Sequence, residues 1–227
     1  VGLIPRSVSV ADVNSDGNVD MVTANGWSDS ISVLLGDGRG NFAAQMTFAV
    51  GENPASVSVA DVNGDGNADV VTANFYSNNI SVLLGDGRGN FAAQTIFAVD
   101  VEPISVSVGD VNGDGNADVV TANSRSKSIS VLLGDGKGNF ATQTIVAVGS
   151  SSSSSPDSVS VVDVNGDGKA DVVVTAGAIS VLLSATSNNS QSKGSLLING
   201  TLQENETHSV NNKISDADGL DWNSRRI

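Results

Sequence analysis

One nine-residue pattern, Asp-Val-Asn-x-Asp-Gly-x-x-Asp, begins at Asp12, Asp61, Asp110 and Asp163. The spacings are 49, 49 and 53 residues. A fixed period of that length means that the chain is built from copies of one supersecondary unit, none of which can bury its apolar face alone. The four extra residues of the last spacing accompany the serine run 150–155, which reads as a loop inserted between units.

Within one unit the order is Ser-Val-Ser-Val-Ala at 56–60, the Asp-rich loop, Val-Val-Thr-Ala at 70–73, a polar loop, Ile-Ser-Val-Leu-Leu at 80–84, a Gly-rich turn and the segment 91–99. That is four strands and three turns. Alternation of Ser with Val has the period of two that puts valines on one sheet face and serines on the other. Val and Ile also suit the pleated backbone, whereas Gly and Asn between the runs suit turns. The 25 glycines and an aromatic share of only 4% fit short strands and tight turns. Four strands per period of 40 to 50 residues predict an all-β chain of β-propeller blades, three full and one partial.

The register also predicts a segment of a larger propeller. Val1, Gly2, Pro5 and Ser7 align with Val50, Gly51, Pro54 and Ser56, so the chain starts inside a repeat, and the unit starting near Asp157 lacks the Gly-Asp-Gly-x-Gly-Asn-Phe turn and a fourth strand. Such a piece leaves two blade faces uncovered, so the isolated chain is expected to associate or to be marginally folded. The propeller segment spans 1–183. Residues 184–195 read as a Ser/Asn-rich linker, and 196–227 as the start of a second, truncated β-rich domain containing Trp222.

The Asp-rich loops carry the chemistry. In the second, Asp61, Asn63, Asp65 and Asp69 offer side-chain oxygens at positions 1, 3, 5 and 9, and Asn67 its carbonyl at position 7, with Gly66 permitting the turn at position 6. Alternate oxygens converging on one point suit calcium, a hard cation that takes six to eight oxygen ligands. The same scheme recurs at Asp12, Asn14, Asp16, Asn18 and Asp20, at Asp110, Asn112, Asp114, Asn116 and Asp118, and at Asp163, Asn165, Asp167, Lys169 and Asp171. An EF-hand would need Glu at position 12 and helical flanks. Here Thr23, Thr72 and Thr121 stand at position 12, Thr175 stands near it in the fourth loop, and the flanks are strands. Turn formation alone would need one or two of these residues, and three carboxylates within nine residues repel one another without a cation. Four calcium ions, one per loop, would move the formal charge from -14 to -14 + 8 = -6.

The run Ala-Asp-Val-Asn-Gly-Asp-Gly-Asn-Ala-Asp-Val-Val, followed by Ile-Ser-Val-Leu-Leu-Gly-Asp-Gly-x-Gly-Asn-Phe, resembles the FG-GAP or VCBS repeat over residues 1–183. That resemblance implies an integrin-α-like propeller, commonly of seven blades, with calcium in the loop between the first two strands of a blade. It also implies extracellular placement. The tail, with 194–201 and 214–220, is similar to the start of Ig-like or cadherin-like repeats of bacterial surface proteins, which points to a secreted or cell-surface bacterial protein.

A formal charge of -14 with scattered basic residues argues against nucleic acid and anionic membranes as partners. The chain has no cysteine, and its single histidine, His208, lies in the tail with no nucleophile and orienting group around it. Carboxylates engaged by calcium would be poor proton donors. The expectation is a non-catalytic, calcium-stabilised module for adhesion or for protein or carbohydrate binding, partnered by the remaining blades of its parent propeller. The rival is an accessory propeller of a secreted polysaccharide hydrolase or lyase whose catalytic part lies elsewhere. Comparing 61–89 with 110–138 gives 24 identities in 29, and four of the five differences are at Phe75, Tyr76, Asn78 and Asn79 against Ser124, Arg125, Lys127 and Ser128. With Trp27 in the first unit, Phe75, Tyr76, Arg125 and Lys127 mark that loop as a candidate ligand face, with drift of an exposed loop as the equal alternative. Asp37, Asp86 and Asp135 could add ligands, but Gly-Asp-Gly is an ordinary hairpin turn and the turn reading is favoured.

Overall fold

In the computed structural model, which describes residues 1–148, 154–184 and 198–199, every regular element is a β-strand. Four antiparallel sheets follow one another along the chain. The first comprises β1 (Pro5–Ala11), β2 (Asp20–Asn25), β3 (Ser30–Leu34) and β4 (Met46–Ala49), and the second β5 (Pro54–Ala60), β6 (Asp69–Asn74), β7 (Asn79–Leu83) and β8 (Thr95–Ala98). The third comprises β9 (Pro103–Gly109), β10 (Asp118–Asn123), β11 (Ser128–Leu132) and β12 (Thr144–Ala147), and the fourth β13 (Ser158–Val162), β14 (Asp171–Thr175), β15 (Ile179–Ser184) and β16 (Ile198–Asn199). Strands pair in sequence order in each sheet, as in the blades of a β-propeller.

The fourth blade closes differently from the others. Its last strand comes from Ile198–Asn199, within the stretch that the sequence assigns to the next domain, and pairs with Leu183 and Ser184. Most of the expected linker and second domain lies outside the described residues.

Each blade turns a forward face to the blade after it and a rear face to the blade before it. At the first joint Val13, Val22, Ala24, Ile31 and Val33 of the first blade meet Val57, Val70 and Leu83 of the second. The same positions, one and two repeats on, build the second and third joints. Ile31, Ile80 and Ile129 are wholly buried, and each such side chain contributes about 1.5–3 kcal/mol relative to exposure. Edge-on ring pairs, Phe48 with Phe91 and Phe97 with Phe140, both at 5.3 Å, close the first two joints. Because both faces are packed, β6 and β10 are buried along their whole length.

The serine half of the alternation also faces protein. Leading strands β1, β5, β9 and β13 lie side by side, and each is tied to the next by a serine hydroxyl. Ser7 Oγ accepts the Val57 amide at 3.3 Å, Ser56 Oγ that of Val106 at 3.2 Å and Ser105 Oγ that of Val159 at 3.2 Å.

Candidate metal loops and an exposed rim

Each Asp-rich loop joins the first and second strands of a blade and is wound around the carboxylate at position 1. Asp12 Oδ2 accepts the Gly17 amide at 2.8 Å, Asp61 Oδ2 that of Gly66 at 2.8 Å, Asp110 Oδ2 that of Gly115 at 2.8 Å and Asp163 Oδ2 that of Gly168 at 2.9 Å. All four glycines have φ between 83° and 87°, a region that costs other residues about 1–2 kcal/mol. Positions 3 and 5 are brought together next: the side-chain amides of Asn14, Asn63, Asn112 and Asn165 donate to Asp16, Asp65, Asp114 and Asp167 at 2.9–3.1 Å.

Position 9 has a second task that local spacing does not show. Asp20, Asp69, Asp118 and Asp171 are fully buried. Asp69 Oδ2 accepts the Val62 amide at 2.9 Å and its Oδ1 the Gly85 amide at 2.8 Å. Asp20 and Asp118 do the same with Val13 and Gly36 and with Val111 and Gly134. In the fourth blade Asp171 receives Val164 and Ser184. These carboxylates stitch the Asp loop to the end of the third strand.

The loop carboxylates feel these surroundings in opposite ways. Burial first, then the charges of Asp114 and Asp110, pushes Asp118 up to about 6, against the pull of its two backbone donors. Burial likewise raises Asp69, with Asp65 and Asp61 adding to it. Asp16 and Asp65 are held below the usual carboxylate range chiefly by the amides of Asn18 and Asn67, and Asp163 by that of Gly168.

The donor set suits a hard divalent cation in part. A carboxylate has about four lone-pair sites, so an oxygen holding one backbone amide keeps capacity for an ion. As the side chains stand, however, no group of three or more His, Cys, Asp or Glu among the described residues forms a ready cage. Position 9 has turned both oxygens to amides, and the Asn side chain at position 3 is oriented with its NH2 toward position 5. A cation drawing on positions 1, 3, 5, 7 and 9 would require those Asn amides to turn over.

Beside each of the second and third Asp loops lies the Gly-Asp-Gly turn of the same blade. Asn63, Asp65, Asp86, Asn90 and Phe91 line one depression of about 440 Å³, and Asn112, Asp114, Asp135, Asn139 and Phe140 line its counterpart, also about 440 Å³. Asp86 is occupied by the turn: its Oδ1 accepts Arg88 and Asn90 amides at 2.8 and 3.1 Å and its Oδ2 the Asn90 side chain at 3.0 Å. Asp37 and Asp135 repeat this arrangement, as the turn reading expects. Asn18, Asn67 and Asn116, at position 7, press their side chains on Gly38, Gly87 and Gly136 of the turn, where a Cβ would overlap them. The fourth blade lacks that turn and carries Lys169 at position 7.

The loops between second and third strands lie at the opposite end of the blades. Trp27, Tyr76 and Arg125 occupy one equivalent position, 49 residues apart. Trp27 is 67% and Tyr76 65% exposed, and Arg125 is exposed beside Glu102 at 3.2 Å. Phe75 is half-buried with its ring 5.1 Å from that of Tyr76. Lys127 has φ 56° and belongs with Asp29 and Asn78, which share that conformation. Those two residues have a role that the sequence reading left out. Asp29 Oδ1 accepts the Asn53 amide at 2.8 Å and Asn78 Oδ1 the Glu102 amide at 2.9 Å, clasping one blade to the next.

A buried polar chain lies under the same loops. Thr72 donates to Asn74, whose NH2 donates to Ser81, whose hydroxyl bonds Gln94; Thr121, Asn123, Ser130 and Gln143 repeat it, as do Thr23, Asn25, Ser32 and Gln45. The signal was present as polar residues recurring at inward strand positions in three units.

The chain matches the FG-GAP-like repeat over residues 12–72, 61–121 and 110–174, each match running from one Asp loop through the next. No curated protein matches the chain in sequence. In structure it is similar to a lectin from Agrocybe aegerita that recognises non-reducing terminal N-acetylglucosamine, at 23% identity and TM-score 0.58 over 86% of this chain and 51% of the lectin. It is similar to a protein of unknown function from Desulfotomaculum acetoxidans, at 16% identity and TM-score 0.61 over 88% of this chain and 56% of that one. A putative 6-phosphogluconolactonase from Bacteroides uniformis gives 18% identity and TM-score 0.60 over 88% of this chain and 57% of that one. The chain thus spans little more than half the length of these structures, and the likeness is one of fold.

Proposed function

This chain belongs to the FG-GAP-like repeat family, and from that premise we propose that it is a calcium-held, extracellular and non-catalytic binding module. One observation carries the calcium reading. Four loops of the same winding each gather three carboxylates within nine residues, and the member at position 9 is raised at Asp69 and Asp118 first by burial and then, in smaller part, by its like-charged neighbours. The one ion pair among the described residues, Arg125 with Glu102, lies at the other end of the blades. A divalent cation drawing on positions 1, 3, 5, 7 and 9 would offset that repulsion and fasten both ends of the loop. Asp12, Asp61, Asp110 and Asp163, with their partners at positions 3 to 9, are the residues that would hold it.

The binding role rests on the rim. Trp27, Tyr76 and Arg125 present large side chains from equivalent loops, at the end of the blades away from the acidic loops. Aromatic faces with an adjacent guanidinium are the surface on which sugars and peptides stack. Because a lectin of the same fold recognises terminal N-acetylglucosamine, glycans are the first probe. The non-catalytic reading is supported by the lowered pKa of Asp16, Asp65 and Asp163 and by the placement of Asp118, which is raised to about 6 but is buried with both oxygens on the Val111 and Gly134 amides.

Calorimetric titration with calcium, with thermal melts in calcium and in chelator, tests the proposal. One equivalent per Asp loop is expected, with each site adding about 2.7 kcal/mol when free calcium is a hundredfold above its dissociation constant. Absence of both heat and melt shift would remove the calcium reading, and a glycan array unaffected by Trp27→Ala and Tyr76→Ala would remove the rim.

A further inference from the structure

Three of the four Asp loops place Gly after the Asn of position 3, at Asn63-Gly64, Asn112-Gly113 and Asn165-Gly166, where the first loop has Asn14-Ser15. Hydrogen bonding to position 1 differs with it. The Gly64 amide donates to Asp61 Oδ1 at 2.7 Å, and Gly113 and Gly166 repeat the bond to Asp110 and Asp163, also at 2.7 Å. In the first loop Asp12 Oδ1 receives the amides of Asn14 and Asp16, at 3.3 and 3.2 Å, but not that of Ser15. The side chain at position 3 is held from its other end. Asn63 Oδ1 accepts the Asp65 amide at 2.9 Å, and Asn112 and Asn165 accept those of Asp114 and Asp167 at 2.8 Å. We propose that Asn63, Asn112 and Asn165 are sites of loop-assisted deamidation, at which the chain turns its own asparagine into aspartate or isoaspartate, and that the first loop is exempt.

The loop supplies what the reaction needs. The Gly64 nitrogen attacks Asn63 Cγ and closes a five-membered succinimide ring, and its proton passes to the Asp61 carboxylate that already holds it. The Asp65 N–H on Asn63 Oδ1 stabilises the charge that this oxygen takes up as the ring closes. The Cγ–Nδ2 bond then breaks, and the side-chain nitrogen leaves as ammonia with the proton that Asp61 received. Water opens the ring. Cleavage at the former side-chain carbonyl leaves aspartate, and cleavage at the main-chain carbonyl leaves isoaspartate, so each site consumes one water and releases one ammonia.

Glycine admits the attack because it sets no Cβ beside the nucleophile. Ser15 does set one, although its φ of 61° lies in the same left-handed region as the 74° of Gly64. Gly64, Gly113 and Gly166 are exposed, so water reaches the ring. A further Asn-Gly step, Asn25-Gly26, has neither advantage: Asn25 is fully buried, and the Gly26 amide is bonded to the Ile4 carbonyl at 2.9 Å. Each aspartate formed would add a carboxylate at position 3, between those at positions 1 and 5, whereas isoaspartate would insert an extra carbon into the backbone of the winding.

The test is peptide mass spectrometry of the full chain held in chelator at neutral pH and physiological temperature, with released ammonia assayed in parallel. Asn63, Asn112 and Asn165 are expected to gain the mass of amide-to-acid exchange at least about tenfold faster than Asn14 and Asn25. Two variants separate the loop from the dipeptide. Asp61→Asn leaves Asn63-Gly64 intact and should slow Asn63 at least about tenfold relative to Asn112 of the same molecule, and Asp110→Asn should invert that ratio. Gly64→Ser, the residue that the first loop already holds there, should bring Asn63 down to the rate of Asn14, with circular dichroism checking that each variant is folded. Equal rates at Asn14 and Asn63 in the wild type would overturn the proposal. So would a ratio of Asn63 to Asn112 that neither aspartate variant moves, which would assign the reaction to the Asn-Gly sequence alone.

Discussion

β1 and β5 differ at one residue, Arg6 against Ala55, yet β1 is exposed along its outer half and β5 is packed. Nothing inside the strand produces the difference. The neighbour does, because Val57 and Val59 lie against the forward face of the first blade and Val8 and Val10 lie against solvent. Burial in this fold is therefore a property of the joint between two blades, and the same residues contribute to stability only where a neighbour completes it.

The strongest way to break this equivalence is a charge at the paired valines. Val57→Asp should cost about 4 kcal/mol or more by placing an unpaired carboxylate in the first joint, whereas Val8→Asp should stay within about 0.5 kcal/mol in dilute, monomeric solution. Urea unfolding of the two variants measures both, and equal losses would mean that Val8 is covered. A smaller effect isolates the clasp. Asp29→Ala removes the acceptor of the Asn53 amide and should cost about 1–2 kcal/mol, while Asp29→Asn should stay close to wild type, since Asn78 does the same work one blade on. Matching thermal melts for the two variants would mean that the acceptor at position 29 contributes nothing measurable to the clasp. The smallest separation belongs to glycine. Gly40→Ala and Gly89→Ala share the cost of a positive φ, 88° and 84°, so their difference reads the crowding of the new Cβ by Leu35 and Met46 of the first blade, which Gly40 does not meet. That gap should be about 0.5–1 kcal/mol, with Gly89 the more sensitive; matching urea midpoints would show that these two side chains yield freely.

The strands and their blade order were legible because alternation and turn residues are local signals, and the repeat set their register. The Asp loops were legible as loops for the same reason. What their ninth residue does was not, since Asp69 meets Gly85 only once β6 and β7 are paired, 16 residues apart in sequence. Asn78 was read as part of a variable ligand loop, and Asp29 is its counterpart one unit earlier. Their partners lie 24 residues on, in the next blade, so no pattern within one unit exposes them. The last strand of the fourth blade was out of reach for a related reason: Ile198–Asn199 has no repeat signature, and its place depends on the open edge of β15.

The serine stitches between leading strands have a consequence for how the chain can fold. They reach 50 residues from Ser7 to Val57 and 54 from Ser105 to Val159, and the blades in packed contact are successive ones. Cooperativity therefore passes from neighbour to neighbour, as in a one-dimensional array. Any blade can serve as the nucleus, and each further blade adds one more joint to those already formed.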